Sequence, residues 1–108
     1  MPMNVLATEL QSFLIRLGKE PDCVNHKVEH YIEHILHLLS ADDEQALKSY
    51  FGLFGNEQLS IYTIAKKRGE EPETTMENID RNLHRLAVTP EWQTVKQFIH
   101  TSKSTDTL

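Results

Sequence analysis

SIYTIAKKRGEEPETTMENIDRNLHRL, residues 60–86, holds two helices in tandem. Ser60 offers a side-chain acceptor to cap a short helix, IYTIAKKR, and Gly69 supplies the left-handed residue that ends one. Pro72 suits the first turn of a second helix, where its missing N–H sacrifices no hydrogen bond. Met76, Ile79, Leu83 and Leu86 recur at three and four residues, giving that helix a buried stripe. A short capped helix, a glycine turn and a longer helix match a helix-turn-helix, though any α-hairpin of a bundle reads alike.

The same helical period extends in both directions, and no segment alternates as a strand would. A first helix is expected over 5–17, with Met3, Leu6, Leu10, Phe13, Leu14 and Leu17 on one face and Gly18 as its stop. A second follows Pro21, capped by Asp22 and reaching about Leu39, with a core stripe of Val28, Ile32, Ile35 and Leu39. Ser40 and Asp43 resemble a capping box for a third helix that carries Ala46, Leu47, Tyr50 and Phe51 to a stop at Gly52. Thr89-Pro90 repeats the cap-plus-proline start for a last helix bearing Trp92, Val95, Phe98 and Ile99. The tail, 102–108, is polar and expected to be flexible. The fold class is therefore all α, a small bundle of five to six helices containing a helix-turn-helix.

Composition narrows the function classes. At 108 residues the chain has the size of one domain, and its 39% hydrophobic and 25% charged content is that of an ordinary globular protein. No apolar run approaches a membrane span, and MPMNVLATEL lacks the features of a signal peptide, so a cytoplasmic protein is expected. The net charge is −5. Residues 1–59 hold four Lys/Arg against nine Asp/Glu, whereas residues 60–108 hold seven of each. The second half is thus the less hostile surface for phosphate without being a basic patch.

Catalytic chemistry finds no constellation. There is no phosphate loop, no defensible carboxylate pair and no Ser/His/Asp arrangement, so neither an enzyme nor a cofactor is expected. Cys23 stands alone, which excludes an internal disulfide, and no base accompanies it. HKVEHYIEHILH places His26, His30, His34 and His37 three or four residues apart, at spacings by which helical imidazoles can share a metal ion. They fall opposite the stripe of Val28, Ile32, Ile35 and Leu39, however. A solvated face that charges together below about pH 6.5 outweighs a metal site.

Several separated landmarks agree in register with a known pattern. LSADDEQALKSYFGL, LSIYTIAKKRG and the closing LHRL resemble the C-terminal, minus-35-reading domain of bacterial RNA polymerase sigma factors. Leu39, Ser40, Glu44, Leu47, Phe51, Gly52 and Leu53 fall on the first part of the family pattern. Ser60, Ile61, Ile64 and Ala65 fall on the second, and Leu83, Arg85 and Leu86 on the last. The resemblance covers roughly residues 30–99, so the expected organisation is an N-terminal helical extension (1–38) packed on a sigma-like domain (39–101). The residues present hold none of the upstream parts a complete sigma factor requires, and a free-standing sigma-like domain is the expectation.

The resemblance implies DNA contact through residues 60–86, with Lys66, Lys67, Arg68, Arg81, His84 and Arg85 toward phosphate at the flanks and Thr74, Thr75 and Asn78 for shorter polar contacts. The family's recognition helix opens with arginines; here the aligned residues are Pro72, Glu73, Thr74, Thr75, Met76 and Glu77. Arginine is the usual bidentate reader of guanine, so the departure bears directly on base readout. The alternative is a protein-interaction module docking on an RNA polymerase subunit or regulatory partner through Tyr50, Leu53 and Phe54. Dimerisation would offer a DNA-binding form a second site.

Overall fold

A computed structural model describes the backbone of residues 5–107 and the side chains of residues 7–99. The side chains of Met3 and Leu6 and those of the expected tail lie outside the described residues. Among the described residues six α-helices follow one another: α1 (Val5–Lys19), α2 (His26–Leu36), α3 (Ala41–Phe51), α4 (Ile61–Arg68), α5 (Pro72–Ala87) and α6 (Pro90–Thr107). A single 3-10 turn, Pro21–Cys23, joins α1 to α2, and no strand occurs among the described residues. The fold is a small all-α bundle.

The starts and stops follow local chemistry. Ser60 Oγ accepts from the Thr63 N–H at 3.2 Å, and Gly69 ends α4 at a φ of 70°. Pro72 opens α5, and Thr89 Oγ1 accepts from the Trp92 N–H at 3.2 Å to cap α6. Two expected caps differ. Asn25, not Asp22, caps α2, its Oδ1 accepting from the Val28 N–H at 2.8 Å, because the 3-10 turn carries the chain three residues further before the helix begins. The Ser40 half of the predicted capping box forms at 3.3 Å, while the Asp43 carboxylate turns away to Arg68. The second helix also ends at Leu36 rather than Leu39, and the chain turns at residues 37–39.

One core joins the helices. Ala7, Leu10, Phe13, Leu14 and Leu17 of α1 share it with Ile32, Ile35 and Leu36 of α2, Leu47 and Phe51 of α3, Ile79, Leu83 and Leu86 of α5, and Trp92 and Val95 of α6. Each fully buried aliphatic residue contributes about 1.5–3 kcal/mol of transfer free energy. The Phe13 and Trp92 rings lie 5.6 Å apart at 40°. α1 makes its most extensive contact with α5, so the first helix lies directly behind the second helix of the tandem pair. Phe98, expected in the core stripe of α6, is 60% exposed; Trp92 and Val95 are buried and Ile99 packs against the core half-buried.

Gly18 does not stop α1, which continues to Lys19. A Cβ added there would lie 2.0 Å from the Phe51 carbonyl oxygen. The glycine is what allows the last turn of α1 to lie against the backbone end of α3.

Candidate nucleic-acid and partner interface

Two helices and three turn residues build the unit that sequence reading assigned to DNA. Gly69 is left-handed, and its N–H returns to Lys66 O at 3.2 Å while the Glu70 N–H returns to Ala65 O at 3.0 Å. This closure aims the Glu70 side chain back into the angle between α4 and α5. Its carboxylate accepts from Arg68 Nε at 2.8 Å, Thr75 Oγ1 at 2.7 Å and Asn78 Nδ2 at 3.5 Å. The Arg68 hydrogen bond, followed by that from Thr75, holds the Glu70 carboxyl below the usual carboxylate range.

Arg68 completes the link to α3. Its Nη2 donates to Asp43 Oδ1 at 3.1 Å and its Nη1 to the Asp42 carbonyl oxygen at 3.1 Å. The bond to Glu70, with that to Asp43, raises the guanidinium further above its ordinary value. Five N–H donors in a planar fork allow one side chain to hold a helix start, a carboxylate and a turn together.

This network corrects several expected nucleic-acid contacts. Arg68 spends its fork on α3 and the turn. Thr75 is fully buried under Glu70, because the α5 register turns it inward toward α4. Asn78 is half-buried between Glu70 and Arg81, with its Oδ1 accepting from Arg81 Nη1 at 3.0 Å. Lys66, Lys67, Thr74, Arg81 and Arg85 are exposed. Glu71, Glu73, Glu77 and Asp80 are exposed on the same unit, so carboxylates dominate its outward surface from the turn to the middle of α5. Arg81, His84 and Arg85 follow in the second half. Glu70 is the hub that sequence reading missed: its return toward α4 depends on the left-handed Gly69, which no local pattern ties to it.

The expected protein-docking residues also separate. Leu53 is fully buried and offers no surface, because its N–H bonds back to Lys48 O and draws the side chain beneath the end of α3. Tyr50 is half-buried, edge-on to Phe51 at 5.0 Å. Phe54 is half-buried with a φ of 53° and has Lys48 Nζ 5.9 Å from its ring centroid.

On α2, His26, His30 and His34 are exposed. His37 instead closes the α2–α3 joint, its Nδ1 2.7 Å from Glu44 Oε2, with Lys48 Nζ 3.0 Å from the same oxygen. These are ion-pair contacts rather than aligned hydrogen bonds. Burial pushes the Glu44 carboxyl up, but His37 and Lys48 together hold it below its ordinary value. Among the described residues no three His, Cys, Asp or Glu side chains come together in a way that could hold a metal ion. No helix among them is long and apolar enough to cross a membrane.

The chain matches no protein family, curated protein or solved structure with which it was compared.

Proposed function

We propose that this chain is a sigma-like, transcription-associated protein whose helix-turn-helix unit serves protein contact rather than base reading. The observation that carries the reading is the outward surface of α5. Glu71 precedes the helix, Glu73 and Glu77 lie in its first half and Asp80 at its middle, and Arg68, the cation nearest the turn, is held internally by Asp43 and Glu70. Phosphate contact dominates affinity for DNA, and carboxylates where a helix would enter a groove oppose it. The register of Leu39 to Leu86 with the sigma pattern supports RNA polymerase, or a protein that regulates it, as the partner.

A second reading keeps a limited role for nucleic acid. Lys66, Lys67, Arg81 and Arg85 are exposed and suit sequence-independent phosphate contact. Parallel titrations of purified chain with core RNA polymerase and with duplex DNA test the proposal. Association with polymerase without a sequence-preferring DNA complex is the expected result. Sequence-preferring DNA binding by a chain that ignores polymerase would overturn it.

A further inference from the structure

The charges of α5 change sign halfway along its exposed face. Glu73 and Glu77 precede Ile79 by six and two residues; Arg85 and Arg81 follow it by six and two. All four are exposed, while Ile79 is 1% exposed and turned into the core. Glu73, Glu77 and Arg85 have no ion-pair partner among the described residues, and Arg81 uses one donor on Asn78. The intervals correspond to about 9 Å and about 3 Å along the helix on either side of one level.

Such a face is complementary to itself when reversed. A two-fold axis at the level of Ile79 sets Glu73 opposite Arg85 of the other copy and Glu77 opposite Arg81, and each pair occurs twice, as an isologous contact requires. A parallel alignment would set like against like. DNA would meet the carboxylate half unfavourably, and a uniformly basic partner would be repelled by Arg81 and Arg85. The surface that fits is acidic at one end and basic at the other, at mirrored spacing.

We propose that α5 pairs antiparallel with α5 of a second copy of this chain, in a weak and salt-sensitive dimer that covers the helix-turn-helix face. The inference rests on the reading of α5 as a protein-contact surface and gives that surface a second occupant, distinct from polymerase. Exposed ion pairs are individually weak and lose strength as the Debye length falls from about 30 Å at 0.01 M salt to about 8 Å at physiological ionic strength. Dimerisation therefore belongs to low salt and high protein concentration.

Sedimentation equilibrium of the whole chain across protein and salt concentrations tests this, with far-UV circular dichroism to establish that each variant is folded. The wild type is expected to gain mass with concentration at low salt and to return to monomer at high salt. Glu73→Arg sets Arg against Arg85, and Arg85→Glu sets Glu against Glu73, so each single variant stays monomeric. The double variant restores opposite charges and regains the dimer. Glu77→Arg with Arg81→Glu repeats the logic at the inner pair if the outer substitutions disturb folding. A wild type that is monomeric throughout, or double variants that do not recover, would overturn the proposal. Polymerase binding measured on the monomeric Arg85→Glu separates the two readings. Its persistence without wild-type self-association removes the dimer alone; self-association without polymerase binding removes the polymerase partner alone.

Discussion

Arg68 and Glu70 face each other across the left-handed Gly69, with Nε donating to Oε1 at 2.8 Å. The contact fixes the angle of the tandem helices from within, because Glu70 also holds Thr75 of α5 and Arg68 also holds Asp43 of α3. Arg68→Ala would leave partly buried Asp43 and Glu70 carboxylates without their cation. A loss of about 1–3 kcal/mol in unfolding free energy is expected by chemical denaturation. Lys67→Ala, on an exposed neighbour outside this network, should change stability by less than about 0.5 kcal/mol.

Acid should expose the same linkage. Glu44 and Glu70 both have carboxyl pKa values depressed in the folded state, so the unfolded chain binds protons more readily as pH falls. Their stabilisation is complete above the unfolded glutamate value, about 4.3, and is lost as pH descends through the lower folded values. Melting temperatures measured from pH 7 down to pH 3 should fall most steeply in that window. Glu70→Gln should be less stable at neutral pH and show a shallower decline, since its amide has no proton to gain there.

Gly18→Ala reverses an ordinary rule. Alanine in place of a helix-interior glycine normally gains about 1 kcal/mol. Here the new methyl would meet the Phe51 carbonyl oxygen, a backbone atom, so α1 and α3 must separate. A net loss of about 1–3 kcal/mol is expected, measured by thermal or denaturant unfolding.

Trp92 is buried beside Phe13, and its indole Nε1 has no hydrogen-bond partner among the described residues. Its value lies in volume and ring contact. Trp92→Phe should cost less than Trp92→Ala, for which a loss of about 3–5 kcal/mol is expected; the two unfolding curves compare them directly.

How much of this was legible in the sequence divides along physical lines. Ser60, Gly69, Pro72, Thr89 and Gly52 act through local backbone chemistry, so the starts and stops they govern could be read directly. Gly18 and Asp22 could not, because a helix packed against another backbone and a 3-10 turn before α2 depend on tertiary contacts. The stripe of α5 placed Ile79, Leu83 and Leu86 correctly in the core, yet Phe98 on α6 satisfies the same spacing and lies outside. Among the candidate site residues, exposure of Lys66, Lys67, Arg81 and Arg85 followed from helical phase. The capture of Arg68 by Asp43, 25 residues away, carries no local signal. Leu53, expected on a docking surface with Tyr50 and Phe54, is folded inward by the loop after α3.

The central claim is that the helix-turn-helix frame is kept for protein contact, without base readout. Its most direct test is fluorescence anisotropy of the purified chain with a labelled promoter duplex and a scrambled duplex of equal length, across a salt series. The account predicts weak binding that is equal for the two sequences, falls steeply with salt and is abolished by combining Lys66→Glu with Lys67→Glu. A preference of tenfold or more for the promoter sequence that persists at physiological salt would contradict it.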